Sequence, residues 1–283
     1  MNNHDSPILR ETAALIGNIL GAELDGIRIE RAVVGLHFTG VKLDAGSAGA
    51  CGTPQMLAEE ACCPMSGAAP FARPLAGFPA AEAMRFAFSE NGIRRAVGIA
   101  TVNALAELCW QRRPHPEVEL RAGADAFDAT GIERDDKVVL VGAFIPFLKE
   151  LKRRGQPYLV LERNPALLKP EEMAFYRPAD AAPEVVPEAD VVLITGTTLV
   201  SDTLEDLLAL ARPQTRVTVV GPSVGLLPDA FLARGADILG GVRITAPDAF
   251  LDVLAEAGGA PQFLGRSAQK VALVRRGLLA RAA

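Results

Sequence analysis

Short apolar runs that alternate with amphipathic stretches through the second half of the chain constrain the fold more than any other feature. The run 137–142 is β-branched, apolar and ends in glycine, as in a parallel strand that is buried on both faces. Similar runs predict strands at 158–162, 190–195, 216–220 and 236–239, and the stretches between them predict helices at 147–155, 203–211, 227–234 and 247–257. Repeated strand–helix units with short loops predict right-handed crossovers and a doubly wound, Rossmann-like parallel sheet.

The first half of the chain has a different pattern, which predicts a separate α+β domain. Residues 8–22 have apolar side chains near a 3.6-residue period and predict a helix, while 27–43 alternate in part and predict an antiparallel hairpin or meander. Residues 44–54 are mostly small, so we expect a long loop, and residues 80–110 have a helical pattern. The change of pattern predicts two domains, 1–122 and 123–283, in an α/β protein.

Composition and charge exclude several classes of partner. The 283 residues are 49% hydrophobic and 22% charged, as in a packed globular protein, and the net charge of -5 provides no basic field for a nucleic acid. No apolar run reaches the roughly 18 residues of a membrane span, and the first residues lack a basic flank. We therefore expect a cytoplasmic protein without nucleic-acid or membrane partners, and a homo-oligomer is left open.

The carboxyl ends of the predicted strands carry the candidate ligand-binding residues, because open parallel sheets bind ligands beyond those ends. These candidates are Gly142, Phe144, Glu162, Thr195, Gly196, Thr197, Thr198, Gly221, Pro222 and Ser223. The 195–198 segment is the strongest, since glycine permits a close backbone approach and the threonines supply hydroxyls for a small anionic ligand. The alternative is that it only forms a tight strand-to-helix turn, but residues 221–223 repeat its chemistry at another strand.

Glu162 ends the second predicted strand of the Rossmann-like half, where an acidic residue contacts ribose hydroxyls in dinucleotide-binding sheets. The first turn, however, has the single glycine Gly142 and places Phe144 where a pyrophosphate needs open space. A standard dinucleotide fingerprint is therefore absent. Two alternatives are left open: Glu162 contacts a nucleotide-type cofactor, or it is an ordinary solvated residue at the end of a strand.

Three cysteines raise the possibility of a metal site. Cys51 lies in one glycine- and proline-rich segment of the first predicted domain, and the neighbouring pair Cys62 and Cys63 lies in another. Folding could therefore bring three thiols together around a transition or heavy metal ion. None of them has the Cys-x-x-Cys spacing that makes a zinc prediction strong. The alternative is that they are small apolar fillers, and Cys109 is predicted to lie in the core.

Several segments resemble one known family. Residues 194–200, 221–228 and 235–241 resemble the family labelled putative heavy-metal chelation domain, and 75–82 and 96–105 resemble the domain that precedes it, which has an enolase N-terminal-like fold. The resemblance implies a site in the cleft between an enolase-like cap and a Rossmann-like domain. By matching motif, Asn103 and the 46–53 loop of the cap would line this cleft together with the strand-end residues, whereas the cysteine segments depart from the family pattern.

Three hypotheses about function follow. The first is a small-ligand-binding protein whose interdomain cleft binds a heavy or transition metal ion or an anionic metal chelate. The second is an enzyme that uses a nucleotide-type cofactor on the Rossmann-like sheet. The third is a non-catalytic regulatory or scaffolding protein.

Overall fold

A computed structural model describes residues 6–54 and 71–278. Its strands are β1 Ile29–Val34, β2 Phe38–Leu43, β3 Ala48–Gly52, β4 Val118–Ala122, β5 Val138–Val141, β6 Tyr158–Glu162, β7 Tyr176–Pro178, β8 Val191–Thr195, β9 Arg216–Val220, β10 Ile238–Ile244 and β11 Ala268–Arg275. Its helices are α1 Pro7–Leu20, α2 Ala80–Met84, α3 Gly92–Arg112, α4 Ala126–Thr130, α5 Ile145–Arg154, α6 Ala182–Val185, α7 Thr197–Val200, α8 Leu204–Leu210, α9 Asp229–Leu232, α10 Pro247–Ala255 and α11 Ala260–Phe263. Within the described ranges, no helix combines the length and apolarity of a membrane span.

The larger sheet has the order β4-β11-β10-β9-β8-β5-β6-β7. Neighbours from β10 to β7 pair in parallel, while β11 pairs antiparallel with both β10 and β4. All residues of β5 and β9 are buried. The unbroken apolar run of β5 predicts this burial, whereas β9 also buries the polar residues Arg216 and Thr218. The six parallel strands in chain order occupy positions 3-2-1-4-5-6, which is the Rossmann order. The predicted α/β, Rossmann-like fold is therefore confirmed, and its topological switch point lies between β5 and β8.

The smaller sheet, β1-β2-β3, is antiparallel, as the pattern of residues 27–43 predicts for its first two strands. Helix α3 packs on one face, against β2 and β3, and helix α10 packs against β1 and β2. Ala50 forms a hydrophobic cluster with Phe250 and Leu254 of α10. A helix near the end of the chain thus packs against a sheet formed near its beginning.

The prediction of a loop over residues 44–54 is wrong, because residues 48–52 form the buried strand β3. A Cβ atom added at Gly49 would lie 2.2 Å from the Ala100 carbonyl oxygen and 2.3 Å from the Ala104 amide nitrogen. The strand therefore contacts the backbone of α3 directly. Its small residues permit this approach rather than mark a segment without a packing role.

The two predicted domains are closely associated in the structure. Strand β4 lies within the predicted first domain but pairs with β11 of the larger sheet, and one hydrophobic cluster extends from Ile8 to Leu273. Helix α1 also packs against α9. The division at residues 122 and 123 stays a prediction, and the surfaces on either side of it are packed together.

Candidate functional site

A cavity of about 350 Å³ lies at the carboxyl ends of β5, β6 and β8, at the switch point of the larger sheet. Five of the predicted residues line it: Gly142, Glu162, Thr195, Thr197 and Thr198. Its other polar lining residues are Arg163, Asp180, Ser201, Thr203 and Asp206, and its apolar walls include Val141, Leu161, Pro183, Leu207 and Leu210. Its volume and its mainly apolar walls with a few polar groups are typical of small-molecule sites.

A hydroxyl-rich turn after β8 forms one side of this cavity. The Oγ1 atoms of Thr195 and Thr197 lie 3.2 Å apart, and the Thr198 hydroxyl donates to the Thr195 carbonyl at 2.7 Å. The Gly196 amide donates to the Val220 carbonyl at 2.6 Å, which ties the turn to β9. The turn is therefore held by its own hydrogen bonds, and Gly196 supports it from behind the cavity rather than lining it.

The turn after β5 is held by Glu162. One carboxylate oxygen accepts from the Ala143 amide at 2.7 Å, and the other accepts from the Asn164 amide at 2.9 Å. Gly142 has φ of 88°, and a Cβ atom there would lie 2.5 Å from Thr195 Cγ2. In dinucleotide-binding sheets the first turn contacts the pyrophosphate. Here a carboxylate of the chain itself occupies an amide of that turn.

Phe144 is turned towards the hydrophobic core of the larger sheet and does not line the cavity. Its ring packs edge-to-face on Phe147 with a centroid distance of 5.0 Å. It is half-buried beside a cluster that includes Leu148 and Val160. Its contacts are those of an aromatic residue that anchors the start of α5.

The second hydroxyl-bearing strand end, residues 221–223, packs against the smaller sheet instead of opening into the cavity. The Ser223 side chain is 2% exposed, and its Oγ accepts from the Gly52 amide at 2.9 Å. Asn103 Nδ2 donates to the carbonyls of Ala50 at 2.8 Å and Ser223 at 2.9 Å, and it lies 3.4 Å from the Pro222 carbonyl. Gly221 joins the sheet by donating to the Gly240 carbonyl. The structure thus brings these predicted residues together as a closed contact between the two halves.

Cys51 belongs to the same closed contact. Its side chain is fully buried, and its thiol donates to Ser223 Oγ at 3.5 Å. Burial raises the pKa of this thiol to about 12, and the Ser223 hydrogen bond and the Arg95 charge offset this only in part. Cys62 and Cys63 lie outside the described residues. Within the described residues, no group of three or more His, Cys, Asp or Glu side chains could hold a metal ion.

Arg95 is a buried cation that the sequence analysis missed. It is 1% exposed, and its Nη2 donates to the Leu199 carbonyl at 3.2 Å and lies 3.1 Å from Asp202 Oδ1. Its Nε and Nη1 atoms are buried and have no hydrogen-bond partner among the residues that the structure describes. A single arginine on an otherwise apolar helix face was the available signal. Arg95 connects α3 to the turn that carries the cavity hydroxyls.

A second cavity of about 410 Å³ lies at the opposite edge of the sheet, by the amino ends of β5 and β6. Arg134, Asp135, Lys137 and Gln156 are among its lining residues. Open parallel sheets bind their ligands at the carboxyl ends. The smaller cavity at the switch point is therefore the candidate site.

Two family models match the chain, and both are described as putative heavy-metal chelation. The DUF4213 model matches residues 18–106, and the DUF364 model matches residues 125–273. An uncharacterized protein of Methanocaldococcus jannaschii is 31% identical over 192 residues, which cover 66% of this chain and 68% of the relative.

Two solved structures share the fold. One is a protein of unknown function from the DUF364 family of Desulfitobacterium hafniense, with a TM-score of 0.73 and 24% identity, and the other is a DUF364 protein of Pyrococcus horikoshii, with a TM-score of 0.72 and 21% identity. Each alignment covers 95% of this chain and 99% of the other. At these identities the likeness concerns the fold alone.

Proposed function

Because this chain belongs to the family described as putative heavy-metal chelation, we propose that it binds a small metal chelate in the switch-point cavity. The resemblance inferred from the sequence is thereby confirmed at the level of the family. The proposed ligand is a metal ion that an organic molecule already coordinates, and the cavity holds that molecule.

The chemistry of the cavity carries this proposal. Its lining provides hydroxyl and carboxylate oxygens, including those of Thr195, Thr197 and Asp206. The described residues, however, do not assemble three or more metal-ligating side chains of the histidine, cysteine or carboxylate type. A bare transition metal ion needs a fuller set of ligands. A chelate brings most of its own ligands and needs from the protein only shape, hydrogen bonds and charge.

The thiol site of Cys51, Cys62 and Cys63 is a competing proposal for a bare ion. The thiolate is the form of cysteine that binds metals. The buried Cys51 thiol, with its raised pKa, would have to lose its proton and leave Ser223 before it could bind. The chelate proposal requires no such rearrangement.

The nucleotide alternative has less support. The strand order and the position of Glu162 suit a nucleotide, but the Glu162 carboxylate accepts from the Ala143 amide where a phosphate would bind. A regulatory or scaffolding role would not require a ligand-binding cavity. The switch-point cavity, however, has the size of a small ligand and lies where open parallel sheets bind small molecules.

Thermal unfolding of the full chain tests the proposal. Nickel, cobalt and zinc ions are added alone, and then as complexes with citrate, with histidine and with a polyaminocarboxylate. We expect at least one chelate to raise the Tm, since ligand at about 100 times its Kd adds about 2.7 kcal/mol. The bare ions should give no comparable shift.

The Ala179→Leu variant supplies the control, because Ala179 lines the cavity in a half-buried position and a larger side chain there fills it. Gln156→Leu introduces leucine into the lining of the cavity at the amino edge without filling the switch-point cavity, and it controls for an effect of leucine substitution outside the site. The Tm shift should disappear in the first variant and persist in the second. Stoichiometric binding of a bare ion that Ala179→Leu leaves unchanged would overturn the proposal, as would the absence of a shift with every chelate.

A further inference from the structure

We propose that the ligand of the switch-point cavity is dipolar, with a carboxylate at one end and a positively charged centre at the other. This inference rests on the proposed function and adds a charge pattern to it. The positive centre is the ammonium group of an amino-acid-like molecule or the metal ion of its chelate. Both sources share the chemistry that the cavity would recognise.

Arg163 provides the contact for the carboxylate. It follows directly after β6, lines the cavity and is exposed. The adjacent Glu162 carboxylate is held by the amides of Ala143 and Asn164. In the described part of the chain, the Arg163 guanidinium forms no ion pair or side-chain hydrogen bond. It is therefore available for the bidentate pairing with a carboxylate that a guanidinium favours.

Two carboxylates provide the contact for the positive centre. Asp206 lies in the first turn of α8 and Asp180 follows β7, and both are exposed residues that line the same cavity. Among the described residues, neither carboxylate has an ion-pair partner. An ammonium group or a metal cation beside them in the cavity would neutralise charge that the described residues leave uncompensated.

Together, the charges of Arg163, Asp180 and Asp206 argue against ligands that carry charge of only one sign. A polyanion would face Asp180 and Asp206 with one guanidinium to compensate, and like charges brought together in a binding site cost binding free energy. A ligand with only positive charge would leave Arg163 unpaired beside it. The hydroxyls of Thr195 and Thr197 add contacts that suit either end. The proposed ligand differs from the small anionic ligand or metal chelate expected from the sequence in that it carries both charges.

A set of three probes that differ by one charged group tests the inference. L-Histidine carries both groups, histamine lacks the carboxylate, and imidazole-4-propionate lacks the amine. Each is titrated calorimetrically into the full chain with and without one equivalent of nickel, so that the two sources of positive charge are distinguished. We expect histidine to bind about tenfold more tightly than either analogue, because each lost contact to a charged group costs a charge-assisted hydrogen bond.

Charge variants assign the two ends. Arg163→Gln should reduce the binding of histidine to the level of histamine, and Asp206→Asn should reduce it to the level of imidazole-4-propionate. Arg134→Gln and Asp135→Asn make the same charge changes at exposed residues of the amino-edge cavity and should change nothing. Tighter binding in the presence of nickel would support the inference with the metal as the positive centre.

The outcomes separate this inference from the proposed function. If a chelate raises the Tm and Ala179→Leu abolishes the shift, but the analogues bind as tightly as histidine, the dipolar ligand is wrong and the chelate site stands. The inference is also wrong if Arg163→Gln and Asp206→Asn leave the affinities unchanged. If neither the probes nor any chelate binds, both fail together.

Discussion

Arg95 and Asp202 form an ion pair between helix α3 and the turn behind the cavity hydroxyls, with Nη2 and Oδ1 3.1 Å apart. The Arg95 side chain is 2% exposed and the Asp202 side chain is 22% exposed. Asp202 has φ of 59°, a left-handed conformation that few residues other than glycine, asparagine and aspartate adopt readily. The buried cation is thus neutralised by a carboxylate that the backbone presents in an unusual conformation.

Because Arg95 is more deeply buried than Asp202, substitutions of the two residues should destabilise the protein to different extents. Asp202→Asn keeps a residue that tolerates the left-handed conformation but leaves Arg95 buried without its counter-charge, so we expect a loss of about 3 kcal/mol in the free energy of unfolding. Arg95→Met removes the buried charge and leaves Asp202 access to water, so we expect a loss of about 1–2 kcal/mol. Urea unfolding of both variants measures the difference.

The exposed pair of Arg31 and Asp252 provides the control, since their side chains are 39% and 62% exposed. Asp252→Asn should cost less than about 1 kcal/mol. Equal losses in Asp202→Asn and Arg95→Met would contradict the view that Arg95 depends on the charge of Asp202.

Gly49→Ala is expected to destabilise the fold severely. Its Cβ atom would lie within 2.3 Å of backbone atoms of α3, and neither β3 nor the helix can yield locally as a flexible side chain could. Overpacking in a rigid contact costs about 1–3 kcal/mol or more. Gly26→Ala, where an added Cβ meets nothing within 4 Å, is the matched control for thermal unfolding. A Tm in Gly49→Ala equal to that of Gly26→Ala would show that β3 and α3 are not in direct backbone contact.

Gly49 also illustrates why the fold could be predicted only in part. Five of the six parallel strands could be predicted because each contains a local run of mostly apolar residues, and the predicted bounds at 158–162 and 216–220 agree with β6 and β9. The sixth, β7, was missed because its three residues Tyr176–Pro178 form no such run. Strand β3 could not, because its small residues have a meaning only beside the helix that packs on them, some fifty residues later. Strands β4 and β11 could not be predicted for the same reason, because they pair with each other across about 150 residues of sequence.

Cys51 is expected to resist thiol reagents in the folded protein. A variant that retains Cys51 alone, with Cys62→Ser, Cys63→Ser and Cys109→Ala, is treated with dithionitrobenzoate at about pH 8, near the pKa of a free thiol. Because the thiol is fully buried and its pKa is raised to about 12, labelling should proceed only as fast as the protein opens. Labelling in denaturant, where the thiol is free, is the control.

The pH dependence has a defined sign. The pKa of the Cys51 thiol is higher in the folded protein than in the unfolded chain. The contribution of the protonated thiol to the free energy of unfolding is therefore complete below about pH 8.5 and is lost as the pH rises towards 12. The free energy of unfolding should therefore fall more between mildly and strongly alkaline pH in the parent than in Cys51→Ala. Rapid labelling of Cys51 in the folded chain would contradict this account and favour the thiol metal site.

The candidate site was predictable only at the level of strand ends. Thr195, Thr197 and Gly142 were identified because the carboxyl edge of a parallel sheet follows from the strand pattern. The same reasoning grouped Ser223 with them, and the family resemblance added Asn103, although the smaller sheet closes over that part of the edge. Asp180 and Asp206 were missed, because their approach to the cavity depends on how a turn after β7 and helix α8 pack around it.

Glu162→Gln tests whether the carboxylate holds the first turn of the parallel sheet. The amide side chain has one oxygen for the two backbone N–H groups of Ala143 and Asn164, and it would turn an N–H group towards the other. We expect a loss of about 1–3 kcal/mol in the free energy of unfolding by urea. Glu150→Gln is the control, because Glu150 forms an exposed ion pair with Arg153 on α5. Its loss should cost less than about 0.5 kcal/mol. If both variants unfold like the parent chain, the Glu162 carboxylate does not fix the turn and is free for a ligand, and the nucleotide alternative would then regain the contact on which it depends.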